Sequence, residues 1–254
     1  MISIETLEKL GRQCQMGVFP NIIREYFQHI FLTELYKLPD SEKLLFKGGT
    51  ALRIVYGSPR FSEDLDFSIF DVADHEVKSF VEKLFVHVLS EIEQTGIKVE
   101  LGEKIGPTGT GGYFGVATFK MFEYSPVSVE INVSSRDKRA IAGEVDSIAN
   151  NFVPTYNIKH LPQVDIVEEK IFDALVKRKK PRDFYDLYIM MRKGMLSSEQ
   201  KKKLAGIRDS VIAEARQINF KNELGTFLPI DQQGIIKDFP VTLERELNGQ
   251  ISGL

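Results

Sequence analysis

Phe46–Phe70 reads FKGGTALRIVYGSPRFSEDLDFSIF. It opens on two adjacent glycines, Gly48 and Gly49, and closes on two acids, Asp64 and Asp66, separated by a single leucine. Each piece has an ordinary structural explanation. Gly-Gly before a helical pattern serves a turn that needs positive φ, and charge on a short strand guards a sheet edge. Their order carries more information: a glycine turn, a short helix, then Asp-x-Asp on a strand. Residues two apart on a strand project to the same face, so Asp64 and Asp66 would stand side by side. Two carboxylates held that close repel unless a cation intervenes. Mg²⁺ suits such a pair, because it takes oxygen ligands and leaves positions open for substrate phosphates.

Outward from this stretch, residues 4–16 and 20–37 read as helices. In the second, Ile22, Ile23, Tyr26, Phe27, Ile30, Phe31 and Leu35 recur at helical spacing, and Pro39 lies just beyond. LLF at 44–46 leads into the glycines. Thr50 is expected to cap a short helix from Ala51 to Tyr56, which Gly57-Ser58-Pro59 ends. DLDFSIF alternates as a strand, and 74–94 reads as an amphipathic helix. IKVELGEKIG, YFGVATFKMF and VSVEINVSS read as three further strands, with GPTGTGGY at 106–113 as a hairpin connection. Pro154 and His160-Leu161-Pro162 mark a boundary. Beyond it, 164–179, 182–193 and 198–217 are helical, and the tail has no clear pattern. Strands before helices predict an α/β (α+β) fold. The expected domains are a catalytic one over 1–155 with N-terminal helices, and a mainly helical one over 156–254.

The chain has 254 residues, 43% hydrophobic and 27% charged, with a net charge of -3. That is an ordinary globular composition, without a global pull toward nucleic acid. The single cysteine, Cys14, excludes an intramolecular disulfide and fits a reducing cytoplasm; it is expected to be buried. No apolar run approaches the ~18 residues of a membrane span, and the acidic N-terminus lacks a signal-peptide core. The four histidines, His29, His75, His87 and His160, are scattered without zinc-ligand spacing.

Glu130, in VSVEINV, is an acid on a second strand and completes a candidate set of three carboxylates with Asp64 and Asp66, suited to two-metal phosphoryl or nucleotidyl transfer. Gly48, Gly49 and Thr50 would bring backbone N–H groups to a phosphate. On an α-helix Lys170, Asp173, Ala174 and Lys177 would share a face. Asp183 and Asp186, in PRDFYDLY, would share another, with Asp183 placed to complement the helix dipole. KRKKPR at 177–182 is the densest basic run, either a solvated helix end or a local attractor for triphosphate or RNA.

In combination, GGTALR at 48–53, R-x-S-x-D-x-D at 60–66, E-x-N at 130–132, the lysine of VEEKIFDAL and RDFYDLY at 182–188 resemble the nucleotidyltransferase superfamily related to DNA polymerase β. More closely they resemble its abortive-infection branch, the AbiEii/AbiGii-type toxins. The resemblance spans 46–188. It implies a polymerase-β-like core with a mixed sheet, followed by a helical C-terminal half. It implies transfer of a nucleoside monophosphate from an NTP to an acceptor hydroxyl, with Mg²⁺ (or Mn²⁺) on Asp64, Asp66 and Glu130. It further implies triphosphate contacts from Gly48, Gly49 and Ser62, a phosphate-reaching Lys170, and Asp186 orienting Lys170, the acceptor or the base. Arg53, Arg60 and Asp183 join the substrate-binding candidates, the arginines as phosphate contacts or as ion pairs steadying the acids. A cytoplasmic toxin with tRNA as acceptor and a cognate antitoxin as partner is the implied biology. A protein-nucleotidylating enzyme, a nucleotide-binding module without turnover, and a structural protein with a charged cleft are the alternatives.

Overall fold

The structure, a computed structural model, describes residues 2–13, 20–102, 106–109, 111–135 and 141–251. Cys14 and the end of the expected first helix lie outside these. The contacts divide the chain into two units, Met1–Gly57 with Phe61–Leu161, and Ser58–Arg60 with Pro162–Leu254.

The first unit starts with helices α1 (Ile4–Gln13) and α2 (Pro20–Leu35). Proline at the first position of α2 sacrifices no hydrogen bond, because that N–H has no helical acceptor. A single 3-10 turn leads into β1 (Leu44–Lys47), which runs directly into α3 (Gly48–Ile54). Then come β2 (Leu65–Ile69), α4 (Val77–Gln94), β3 (Lys98–Leu101), β4 (Gly106–Pro107), β5 (Tyr113–Lys120), β6 (Val127–Ser134), β7 (Glu144–Ile148) and β8 (Tyr156–His160). They form one mixed sheet in the order β3-β5-β6-β2-β1-β8-β7, with β4 paired to β5. The parallel pairs are β1 with β8 and β2 with β6; β1 and β2 are antiparallel.

Alternation along β6 is clean, with Val127, Val129, Ile131 and Val133 buried and Ser128 and Glu130 exposed. Phe67 and Tyr113 meet Phe85 of α4, and Phe119 stacks on Phe27 of α2 at 4.6 Å. These two helices therefore cover the face of Phe67, Phe119 and Ile131. The opposite face carries Asp66, Glu130 and Asn132.

Three expectations change here. α3 begins at Gly48 rather than at Ala51, so Thr50 lies inside the helix and its hydroxyl donates to the backbone carbonyl of Asp64 instead of capping. β7 and β8 had no predicted counterpart. β8 hides its period-2 pattern (Tyr156, Ile158, His160) between prolines that read as a boundary, and β7 is an edge strand whose first four residues are exposed. The strand-bearing unit accordingly continues past residue 155.

In the second unit, α5 (Gln163–Glu168) passes through a π-helical stretch (Glu169–Leu175) into a last turn, α6 (Val176–Arg178). α7 (Pro181–Arg192) follows, then α8 (Ser198–Ala215), α9 (Lys221–Phe227), a 3-10 stretch (Ile230–Asp238) and α10 (Phe239–Ile251). α8 opens on a reciprocal cap. The Gln200 N–H donates to the Ser197 hydroxyl at 3.2 Å, and the Ser197 N–H donates to Oε1 of Gln200 at 3.1 Å. The core gathers Phe184, Phe220 and Phe239, with the last two rings 4.7 Å apart.

Candidate active site

β1 and β2 pair so that Lys47 stands opposite Asp66, and the chain turns into α3 at the next residue. Gly48 has φ +84, a region that side chains disfavour. A Cβ there would lie 2.9 Å from Cγ of Asp66. The glycine is therefore the cradle of that carboxylate, and glycine is the only residue that lets the two approach. On the other side, Asn132 of β6 is in register with Asp66, and its Nδ2 donates to Oδ1 of Asp66 at 3.2 Å. Asp66 is thus held between a backbone turn and a neighbouring strand.

Asp64 immediately precedes β2 and is half-buried, as is Ser62. The backbone there is pinned by side chains: Thr50 at the carbonyl of Asp64, and Nε2 of Gln28 at the carbonyl of Ser62, 3.0 Å away. Gly49 and Thr50 are buried in the first turn of α3. Glu130 is exposed on the same sheet face as Asp66 and Asn132. Among the described residues, no three His, Cys, Asp or Glu side chains are gathered as a metal cage, so Glu130 does not close a ready-made triad with the two aspartates. The residue of β6 that meets Asp66 is Asn132, because the parallel register puts Asn132 beside it. Two carboxylates one residue apart still fit magnesium, which takes one or two carboxylates and fills its other positions with water and substrate oxygens.

Arg53 is committed inside the first unit. Its Nε and Nη2 donate to Oε1 and Oε2 of Glu25 at 2.7 and 3.0 Å, and its guanidinium lies 3.8 Å from the centre of the Phe61 ring. It steadies structure around the acids by way of Glu25, a buried acid of α2 that no sequence motif singles out.

In the second unit, Asp186 on α7 is 1% exposed and accepts from three cationic nitrogens. Arg60 grips it with both arms, Nε to Oδ1 and Nη2 to Oδ2, each 3.0 Å, and Nζ of Lys170 lies 2.9 Å from Oδ2. Burial alone would push the Asp186 carboxyl up, but Arg60 and Lys170 together hold it below the usual carboxylate range. Lys170 is one of the three groups that Asp186 is expected to orient, and the structure brings the two into contact. The expected shared face of Lys170, Asp173 and Lys177 is absent, because a π-helix turns less per residue than an α-helix. Lys177 pairs with Asp173 at 2.6 Å while Lys170 turns to Asp186.

Asp183 is also buried. It accepts from the N–H of Lys180 at 3.2 Å and from Arg178 at 2.6 Å, so its carboxylate caps its own helix. The basic run is largely neutralised: Lys177 by Asp173, Arg178 by Asp183, Lys179 by Glu214 and Arg182 by Glu223. Four of its five cations are thus held in ion pairs, most of them at the surface.

No helix among the described residues is long and apolar enough to cross a membrane. No curated protein matches the sequence significantly. Among solved structures, a candidate nucleotidyltransferase from H. pylori superposes with a TM-score of 0.66 at 19% identity, covering 92% of this chain and 96% of that one. JHP933 from Helicobacter pylori superposes with a TM-score of 0.60 at 19% identity, covering 92% and 93%. At that identity the likeness establishes the fold. Residues 30–244 match the model of the nucleotidyl transferase AbiEii toxin of type IV toxin–antitoxin systems, so the chain belongs to the AbiEii nucleotidyltransferase toxin family.

Proposed function

We propose that this nucleotidyltransferase moves a nucleoside monophosphate from an NTP to the hydroxyl of a tRNA in the cytoplasm, with Mg²⁺ held by Asp64 and Asp66, and that a cognate antitoxin counters it. The observation that carries the reading is the Asp66 carboxylate lodged against Gly48, two residues after Asp64 in sequence, in a chain of this family. When bound, Mg²⁺ supplies neutralisation of charge on the triphosphate oxygens.

The protein's own residues do the rest. Backbone N–H groups at Gly48 and Gly49 and the Ser62 hydroxyl hold phosphate oxygens. One carboxylate of the aspartate pair takes the proton of the attacking hydroxyl. The acceptor oxygen bonds to the α-phosphorus, the α–β bridge breaks, and pyrophosphate leaves. Glu130 is assigned as an auxiliary ligand, drawn in from its exposed position. Lys170 supplies positive charge to the reaction, and Asp186 holds it in place. A carboxylate kept ionised by two cations is a poor proton acceptor, which favours an orienting role for Asp186 over that of base.

The test incubates the protein with each α-labelled NTP, total RNA and a protein extract, with and without EDTA. Label entering a tRNA band, lost with EDTA and lost at least a hundredfold in Asp64→Ala and Asp66→Ala, is the expected result. Glu130→Ala should cost less than either. Label in protein instead would move the acceptor from RNA to protein, and full activity in either aspartate variant would refute the metal assignment.

A further inference from the structure

Asp64 and its neighbour Asp66 are held in different ways. Asp66 sits in a ladder, paired to Lys47 on one side and Asn132 on the other. The segment Phe61–Asp64 precedes the strand and has no ladder of its own. Backbone groups that lack sheet partners must find others or wander. Here side chains contact both the backbone and the side chains of the segment, and three of the contacts come from α2 or depend on it, Arg24 with Glu63 at 3.6 Å among them. Gln28 fixes the Ser62 carbonyl. Glu25 fixes Arg53, and the Arg53 guanidinium lies over the ring of Phe61. The same helix reaches the neighbouring strand as well, where Nε of Arg24 donates to the Ser128 carbonyl at 3.2 Å, at the start of β6.

These are costly residues to place where they are. Glu25 is 7% exposed and Gln28 2%, on a helix whose other buried positions are mostly apolar. A buried ion pair adds little net stability compared with apolar residues of the same volume, so stability alone does not account for Glu25 and Arg53. What the pair does provide is a fixed distance between α2, the helix that follows the glycine turn, and the segment that leads into the acids.

We propose that α2 acts as a clamp on the metal-binding segment, with Glu25 and Gln28 as positioning residues that set where Asp64 points. The inference rests on the reading of Asp64 and Asp66 as the metal-holding pair. Neither Glu25 nor Gln28 touches substrate in this scheme; both act through Arg53, Phe61 and Ser62.

The experiment measures Mn²⁺ binding by the EPR signal of free Mn²⁺, in the presence of an equimolar mixture of the four α,β-methylene NTPs, together with the Mg²⁺ concentration that half-saturates turnover. The variants are Glu25→Gln, which keeps shape and loses charge, Gln28→Met, which loses only the donor, and Asp64→Asn. Val88→Ala, a core truncation in α4 far along the chain from these residues, controls for loss of Tm. The expected result is about a tenfold weakening of Mn²⁺ binding and a matching rise in the Mg²⁺ midpoint for Glu25→Gln or Gln28→Met, whichever folds, with wild-type values for Val88→Ala. Wild-type metal binding in both α2 variants, alongside its loss in Asp64→Asn, overturns the clamp and leaves the metal reading intact. Wild-type binding in Asp64→Asn overturns the metal reading itself, and the clamp with it.

Discussion

Gly48 has no room for a side chain, and that single fact ties the glycine turn to the acids. Gly48→Ala would force φ +84 on a residue with a Cβ and press that Cβ against the Asp66 carboxylate. We expect a loss of about 2 kcal/mol or more in urea unfolding, and at least a tenfold loss of nucleotidyl transfer. In an Asp66→Ala background the clash with the carboxylate disappears, leaving the contact with Cβ of residue 66 and the backbone strain, so the stability cost of Gly48→Ala should fall. Equal costs in the two backgrounds would show that the carboxylate does not need the cradle. Asn132 illustrates what was readable at this scale. It belonged to the quoted E-x-N pattern, but which of Glu130 and Asn132 meets Asp66 depends on a register between strands more than sixty residues apart. No local pattern encodes that register.

At the scale of elements, the π-helical stretch and α7 present one buried acid to two cations. Asp186→Asn would leave Arg60 and Lys170 facing each other across a site that is closed to water, and should cost about 3–5 kcal/mol in denaturant unfolding. Arg60→Lys keeps the charge and loses the two-armed grip, so it should cost distinctly less. Similar losses in both variants would mean that geometry, not charge, dominates the site. The family resemblance implied Lys170 as one of three groups that Asp186 could orient, and the two are in contact. The sequence pattern placed Lys170 on one face with Asp173, Ala174 and Lys177, because helical periodicity assumes α geometry throughout and the π-helical stretch breaks that assumption without any residue announcing it. The basic run is the opposite case: its composition invited an electrostatic role that its acidic neighbours, three of them distant in sequence or on other helices, cancel. Lys179→Gln should therefore change the KM for an RNA acceptor by less than about twofold, and a much larger rise would restore the run as a binding surface.

For the molecule as a whole, acid should be destabilising from a pH above the carboxylate range. His29 on α2 is buried, with Nδ1 2.9 Å from the Tyr156 hydroxyl, and burial first and Arg53 second push its pKa down to about 3 from 6.5. Between those values the unfolded chain binds a proton that the native state refuses, so stability is full above 6.5 and declines as pH falls toward 3. The expected loss from this one group is about 2 kcal/mol between pH 7.5 and pH 5. His29→Gln should lose correspondingly less over the same interval, measured by urea unfolding at both pH values; an identical loss in both proteins would refute the assignment. Asp186 adds its own contribution only lower down. Its carboxyl is held below 3.8, so its stabilising charge persists there and vanishes as pH falls through the lowered value.

The sequence by itself determined the class of the fold and the order of glycine turn, helix and acid pair, since these reside in short-range spacing and in combinations of residues that rarely occur by chance. Only the tertiary structure decided which strand supplies the partner of Asp66, which helix holds the approach to Asp64, and that Arg53 and the basic run are already engaged. Those outcomes depend on register and on contacts between residues far apart in the chain. Such contacts arise when the apolar faces of the sheet and helices are buried together, and nothing in the local pattern of residues records them.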